Sequence, residues 1–240
     1  ATARGVLTFV DVLPALALEA PYHKARTGLV VIENTHNMAG GTAYTRAEVE
    51  AICAAVHARG VAVHLDGARV FNAAVALDAG VRELTASCDS VMFCLSKGLG
   101  APVGSLLLGT RDFIHRARIV RKMLGGGMRQ SGILAAAGLL ALEEGPAQLP
   151  TDHANARLLA HGLSGLPGIR IDPTTVQTNI VIFDVSGTGR PAAELVTALE
   201  KRQVRAGAVG ASAIRFVTHR DVTREQCEQA VAALAQELAS

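Results

Sequence analysis

The sequence has 240 residues, of which 50% are hydrophobic, and its formal net charge at pH 7 is +2. A chain of this length and apolar content forms one large domain or two modest ones with a substantial core. The small net charge, with both signs interspersed, excludes the basic surface that binding to a nucleic-acid backbone requires. No apolar run approaches the roughly 20 residues of a membrane-spanning helix, so we expect neither nucleic acid nor a membrane among the partners.

Residues 29–108 alternate between apolar, strand-like runs and helical patterns, which is typical of β-α-β units in a mainly parallel sheet. A further strand at 104–108 follows the previous one too closely for a helical crossover, so we expect it to run antiparallel. The pattern predicts an α/β domain with helices on both faces of its sheet. Strands are predicted at 29–33, 61–65 and 90–95, and helices at 46–58 and 82–86.

A long helical pattern follows, from about residue 111 to residue 144. Gly125-Gly126-Gly127 interrupts it, and we expect a loop there because a helix tolerates three successive glycines badly. The pattern changes again after Gly145-Pro146. We therefore place a domain boundary near Gly145, with residues 1–145 in a large domain and residues 146–240 in a smaller one.

The predicted smaller domain has an α+β pattern. A helix leads to a strand at 178–185, a helix at 191–201, a strand at 213–217 and a last helix. Thr223 is followed three residues later by Gln226, which predicts a capping box at the start of that last helix.

The cysteines and the first residues indicate a cytoplasmic protein. The residues Ala1 to Gly5 have none of the features of a secretory signal. The four cysteines are far apart and form no C-x-x-C pair, so we expect free thiols rather than a disulfide framework or a metal site. They are Cys53, Cys88, Cys94 and Cys227.

Polar residues follow three of the predicted strands at their carboxyl ends, the edge at which open parallel sheets bind ligands. The segment ENTHN (33–37) follows the first strand, DGAR (66–69) the second and SKG (96–98) the third. Short crossovers would bring the three segments to one edge, where an acid, a base and an amine would converge.

Lys97 and Asp66 together predict a site for pyridoxal phosphate. Lys97 follows an apolar strand and has small neighbours, which we expect to desolvate its ammonium group, and a neutral lysine amine forms Schiff bases. A lone lysine at this position would more often reach solvent. Asp66 changes that balance, because the pyridine nitrogen of the cofactor needs a facing carboxylate to stay protonated. Asp66 is also a suitable N-cap for the helix that follows it.

Four segments resemble those of low-specificity L-threonine aldolases, which are pyridoxal-phosphate enzymes of the aspartate-aminotransferase-like fold. The resemblance extends from about His23 to Asp221. It implies retro-aldol cleavage of L-threonine or L-allo-threonine to glycine and an aldehyde, without a metal. The segments are ENTHN (33–37), HLDGAR (64–69), LSKGLGAPVGS (95–105) and RKMLGGGMRQSG (121–132).

The resemblance also implies roles for individual residues. Lys97 is the covalent anchor of the cofactor, and Asp66 is the partner of its pyridine nitrogen. Arg69 lies near the cofactor and the substrate carboxylate, a task that suits bidentate guanidinium geometry. A structural ion pair of Arg69 with Glu33 or Asp89 is the alternative.

Two further positions match residues that contact the substrate in this family. Arg215 clamps the α-carboxylate, although an arginine between apolar neighbours on a strand is also typical of a solvated sheet face. His23 accepts the proton of the substrate hydroxyl. Without the resemblance, His23 would be interpreted as a surface-loop histidine.

The glycine run and its flanks are assigned to the cofactor and to a subunit interface. Ser96 and Arg129 bind the cofactor, and Lys122 binds the substrate, with a flexible interface loop as the alternative for Lys122. The amides of the glycine run are candidates for an anion-binding nest. The family implies a homo-oligomer, a dimer or a dimer of dimers, with shared active sites. His36 and Asn34 are expected to line the pocket.

The family's N-terminal segment has no counterpart in this sequence. That segment carries a glycine-threonine phosphate loop and a histidine that stacks on the pyridine ring, so we expect the pocket to lack one wall. Two alternatives stay open: another pyridoxal lyase or aminotransferase of this fold, and a truncated chain that is not catalytic by itself. A nucleotide-binding β-α-β protein is excluded, because no G-x-G-x-x-G follows a strand.

Overall fold

A computed structural model describes residues 4–239, which form two compact units. The first unit runs up to Thr35 and resumes over Ala43–Pro146. The second comprises His36–Thr42 and the chain from Ala147 onward. The short segment His36–Thr42 therefore groups with the second unit, although it lies between elements of the first in the sequence.

The first unit contains a four-stranded sheet with the order β1-β2-β3-β4. The first three strands are parallel, and β4 runs antiparallel to β3. Both features confirm the prediction from the sequence. The elements are α1 (Phe9–Val12), β1 (Leu29–Glu33), α2 (Arg46–His57), β2 (Ala62–Asp66), α3 (Val70–Ala76), α4 (Val81–Thr85), β3 (Ser90–Cys94), β4 (Ser105–Gly109) and α5 (Arg111–Met123), followed by α6 (Gly132–Ser164).

Helix α2 shows why these elements form where they do. Thr45 begins the helix with a capping box, because its hydroxyl accepts the Glu48 amide at 3.3 Å and its own amide donates to the Glu48 carboxylate at 2.7 Å. The helix then places apolar residues at positions i, i+3, i+4 and i+7, so a single face enters the core. That buried face consists of Val49, Ile52, Cys53 and Val56.

The second unit contains a three-stranded antiparallel sheet with the order β5-β7-β6. The capping box predicted at Thr223 and Gln226 is confirmed. The two-residue strand β6 was not predicted, since a glycine and an alanine leave no periodic pattern. The elements that follow α6 are β5 (Ile180–Asp184), α7 (Ala192–Lys201), β6 (Gly207–Ala208), β7 (Ala213–Val217) and α8 (Arg224–Leu238).

The predicted change of pattern at Gly145-Pro146 is not a helix end, because α6 continues through both residues to Ser164. Gly145 is buried against the backbone of Leu99, and a Cβ at this position would lie 2.6 Å from the Leu99 carbonyl oxygen. Glycine here allows a close approach between two backbones, which a reading of local helix propensity does not detect.

We expect Gly145→Ala to lower the free energy of unfolding by about 1–3 kcal/mol, because the added methyl group collides with backbone. Helix propensity alone would have raised it by about 1 kcal/mol. Urea unfolding measures the difference. Gly132→Ala in the same helix is the matched control, since its Cβ would meet nothing within 4 Å. Equal stabilities of the two variants would contradict the close approach at Gly145.

The sequence predicts free thiols and no membrane-spanning helix. All four cysteines are free, and the sulfur atoms of Cys53 and Cys88 lie 3.9 Å apart. Among residues 4–239, no helix combines the length and the apolar character needed to cross a membrane.

His153 on α6 is a buried histidine, with 3% of its surface exposed. Burial, aided by the nearby charge of Arg157, lowers the pKa of its imidazole from 6.5 to about 4. The unfolded chain therefore takes up a proton near pH 6.5 that the folded chain accepts only near pH 4. Stability is then fully present above pH 6.5 and is lost as the pH falls towards 4.

We expect the free energy of unfolding to fall by roughly 3 kcal/mol between pH 7 and pH 4 through this group alone. His153→Gln should remove that part of the pH dependence. Urea titrations at several pH values measure it, with His161→Gln, an exposed position on the same helix, as the control. An unchanged pH profile in His153→Gln would show that the imidazole is not the titrating group.

Candidate active site

The carboxyl ends of β1, β2 and β3 lie at one edge of the first unit's sheet. Asp66 is in register with Glu33 on one side and with Met92 on the other. Two backbone hydrogen bonds extend this pairing: the Asn34 amide donates to the Asp66 carbonyl at 2.9 Å, and the Gly67 amide donates to the Met92 carbonyl at 2.8 Å. Asp66 therefore ends the second of three parallel strands, between its two neighbours.

The carboxylate of Asp66 is half-buried, and its Oδ1 accepts the Ala68 amide at 3.1 Å. The N-cap of α3 is Arg69, so Asp66 forms a turn before the helix and is not its cap. No cation of residues 4–239 forms an ion pair with Asp66. A half-buried carboxylate with this arrangement fits the cationic nitrogen of a pyridine ring.

Lys97 lies three residues beyond the end of β3, and its side chain is exposed. The expected desolvation of its ammonium group is therefore wrong for the described chain. The physical reason is local: β3 ends at Cys94, and Lys97 stands in a turn in which its carbonyl accepts the Gly100 amide at 2.9 Å. Ser96 is exposed as well. The amine of Lys97 is accessible to an aldehyde.

The glycine run ends helix α5, and the amides of Gly125 and Gly126 bond within the chain, so they are not available for the expected anion-binding nest. Gly125 has a left-handed φ of +81°. The Gly126 amide donates to the Arg121 carbonyl at 2.8 Å, and the Gly125 amide donates to the Lys122 carbonyl at 3.1 Å. This is a Schellman cap, which uses both amides to satisfy the last carbonyls of the helix. Lys122 and Arg129 are exposed on either side of it.

Asn34 is fully buried and does not line a pocket, contrary to expectation. Its side-chain amide donates to the Tyr44 carbonyl at 3.2 Å, and its oxygen accepts the Tyr44 amide at 3.1 Å. Asn34 therefore fixes the path of the chain where it leaves β1.

Thr35 is a further polar residue at this edge, for which the sequence predicts no role. Its hydroxyl is buried and has no hydrogen-bond partner within the described part of the chain. A buried hydroxyl without a partner costs about 1–3 kcal/mol, and this one lies two residues beyond the end of β1. The only sequence signal was its position directly after Asn34.

The remaining predicted site residues of the first unit are at least partly exposed to solvent. His23 is exposed in the loop between α1 and β1, where the centroids of its ring and the Tyr22 ring lie 5.3 Å apart in a T-shaped arrangement. Arg69 is half-buried at the start of α3. The structure thus brings Asp66, Arg69 and the Ser96–Lys97 loop to one sheet edge, whereas His23 and the α5 cap lie on exposed segments.

The second unit holds Arg215 on β7, the central strand of its sheet. Arg215 is half-buried, and its Nη1 donates to the Asn37 Oδ1 at 3.0 Å. The neighbouring His36 is half-buried, and its Nδ1 accepts the Ala39 amide at 3.1 Å. Asn37 is the last residue of the ENTHN segment, and no local pattern in the sequence predicts its contact with Arg215.

Comparison with known sequences identifies relatives over most of the chain. The family model described as beta-eliminating lyase matches residues 1–186. The low specificity L-threonine aldolase of Escherichia coli K12 is 46% identical over 212 residues, which are 88% of this chain and 60% of that protein. Low-specificity L-threonine aldolase 1 of Arabidopsis thaliana is 44% identical over 198 residues, 82% of this chain and 55% of that protein. The chain thus spans little more than half the length of these relatives.

Comparison with solved structures supports the fold. The threonine aldolase of Leishmania major superimposes with a TM-score of 0.77 over 99% of this chain and 69% of that chain, at 22% identity. At this identity the match speaks for the fold alone, and it agrees with the predicted pyridoxal-enzyme architecture.

Proposed function

The chain belongs to the beta-eliminating lyase family, and on that premise we propose that it carries the catalytic core of a pyridoxal-phosphate-dependent L-threonine aldolase. The reaction is retro-aldol cleavage of L-threonine or L-allo-threonine to glycine and an aldehyde. The observation that carries the proposal is the parallel register of β1, β2 and β3, which ends at Asp66 and at the loop of Lys97. The names of the relatives support the choice of substrate.

We assign the cofactor to residues whose chemistry fits it. The amine of Lys97 forms the covalent link to the cofactor aldehyde, and the carboxylate of Asp66 pairs with the ring nitrogen. Ser96 and Arg129 bind the phosphate. When bound, the cofactor supplies an electron sink for the electrons of the broken bond.

The residues of the chain bind the substrate and move one proton. Arg69 and Arg215 bind its carboxylate through paired N–H donors, and Lys122 adds a third positive charge. His23 accepts the proton of the β-hydroxyl oxygen while the Cα–Cβ bond breaks, and the aldehyde leaves. The Cα atom then takes up a proton, which gives glycine.

The test is to incubate the protein with pyridoxal phosphate, reduce the mixture with borohydride and map the labelled peptide. We expect a stable label on Lys97. No label, or a label on another lysine only, would overturn the assignment. A second assay offers L-threonine and measures aldehyde against keto acid, because release of keto acid without aldehyde would indicate an aminotransferase.

We also propose that the protein is a cytoplasmic homo-oligomer, a dimer or a dimer of dimers, with shared active sites. An extensive exposed apolar surface supports the oligomer: three consecutive leucines of β4 are 41, 42 and 46% exposed, and α5 has no buried residue. The four free thiols support a reducing compartment. Light scattering after gel filtration measures the mass, and a monomer at micromolar concentration would contradict the oligomer. The leucines are Leu106, Leu107 and Leu108.

A further inference from the structure

Asn37 stands on a loop that is fixed inside the second unit. The Thr178 hydroxyl donates to the Gly41 carbonyl at 2.7 Å, and both residues are buried. Within the loop, the His36 amide donates to the Thr42 carbonyl at 2.9 Å, and the Gly41 amide donates to the His36 carbonyl at 2.9 Å. These bonds close the segment on itself and attach it to the start of β5. Asn37 is therefore held within a fixed loop, and its own carbonyl accepts the Gly40 amide at 3.3 Å.

Arg215 is held just as firmly. It lies on the central strand β7, in register with Ile182 of β5 and with Gly207 of β6. One guanidinium nitrogen donates to the Asn37 side-chain oxygen at 3.0 Å. A guanidinium has five N–H donors, so a single bond to Asn37 orients the group and leaves most of its donors for another acceptor.

The partner of Arg215 differs in charge from the partners of the other paired arginines in this unit. Each of the others contacts a carboxylate, whereas Arg215 contacts a neutral amide, and no carboxylate of residues 4–239 lies within 4.0 Å of it. A carboxylate partner would neutralise the guanidinium and compete with an anionic ligand, and an amide does neither. The other pairs are Arg170–Asp184, Arg190–Glu194, Arg202–Glu237 and Arg224–Glu228.

We infer that Asn37 is a positioning residue for Arg215, which orients the guanidinium for a ligand carboxylate and keeps its charge available. The inference rests on the proposed function, in which Arg215 binds the α-carboxylate of the substrate. Asn37 itself does not contact the substrate. Its side chain acts only through Arg215.

Asn37→Asp is the sharpest variant, because it keeps the size and the acceptor oxygen and adds a negative charge. We expect the aspartate to pair with Arg215 and to raise KM for L-threonine at least about tenfold, while kcat changes less than threefold. Asn37→Ala should raise KM by a smaller factor, since the guanidinium loses its orientation and keeps its charge. Gln229→Glu is the matched control, because it also replaces a neutral amide with a carboxylate, at an exposed position of α8 in the same unit.

A second readout does not depend on catalysis. Phenylglyoxal modifies accessible, unpaired guanidinium groups, and peptide mapping reports its rate at Arg215. We expect modification to be at least about fivefold slower in Asn37→Asp than in the wild type and faster in Asn37→Ala, with Gln229→Glu unchanged. Glycine should protect Arg215 in the wild type. Circular dichroism and thermal unfolding confirm that the variants are folded.

The two readouts separate failure of the inference from failure of the proposed function. Equal modification of Arg215 in the wild type, Asn37→Asp and Asn37→Ala would overturn the role of Asn37. The rate of modification of Arg215 could instead differ among the Asn37 variants while glycine fails to protect Arg215 in the wild type. That result would overturn the assignment of a carboxylate ligand to Arg215 and would leave the orientation of Arg215 by Asn37 intact.

Discussion

Lys97→Ala is expected to abolish covalent binding of pyridoxal phosphate. The variant lacks the only amine on the loop that follows β3, so no borohydride-stable label should form there. Cleavage of L-threonine should fall at least about 10³-fold, a loss of roughly 4 kcal/mol of transition-state stabilisation. Intact-protein mass spectrometry after reduction measures the label, and aldehyde release measures the activity.

Lys201→Ala is the matched control for Lys97. Lys201 is exposed at the end of α7 and has no assigned role, so its variant should retain both label and activity. Nonspecific labelling of surface lysines would give equal adducts in the two variants. A full adduct in Lys97→Ala would show that another lysine anchors the cofactor.

Asp66→Asn is expected to lower the cleavage rate about 100-fold. Holding a proton on the pyridine nitrogen through a pKa shift of about 2 units corresponds to roughly 2.7 kcal/mol, which the amide no longer supplies. The amide oxygen still accepts the Ala68 hydrogen bond, so the local turn is retained. The absorbance of the bound cofactor as a function of pH should show the ring nitrogen losing its proton at lower pH than in the wild type.

Asp78→Asn is the control for loss of a carboxylate in the same unit. Asp78 is exposed after α3 and has a left-handed φ of +49°, which asparagine tolerates well. Its variant should keep wild-type rate and absorbance. If Asp66→Asn cleaves threonine within threefold of the wild-type rate, the carboxylate does not support the ring nitrogen.

The secondary structure followed from local patterns wherever a single element carries its own signal. The bounds of β1 and β7 agree with the prediction, because apolar residues alternate or run together and polar residues mark the ends. The capping box at Thr223 is a contact between residues three apart, so the sequence contains all of it. The candidate edge could be predicted in the same way. The carboxyl end of each strand can be recognised from the polar residues that follow it, and parallel strands place those ends at one edge of the sheet.

The assignment of Lys97 and Asp66 to a cofactor depended on both local pattern and resemblance. The pattern placed an amine and a carboxylate at neighbouring strand ends, and the resemblance supplied the cofactor that needs them. The exposure of Lys97 did not follow, because it depends on where β3 ends and on the turn beyond it.

Long-range contacts decided the rest. Gly145 has the local signal of a helix breaker, yet it lies inside α6, where the close approach of the Leu99 backbone requires a residue without a side chain. Asn34 was predicted to line the pocket, yet both of its side-chain groups form hydrogen bonds with the backbone of Tyr44, ten residues away. Asn37 and Arg215 are 178 residues apart in the sequence, and their hydrogen bond has no local signature. Periodicity and capping are short-range and can be read along the chain, whereas close approach, burial and the partner of a charge depend on packing between distant segments.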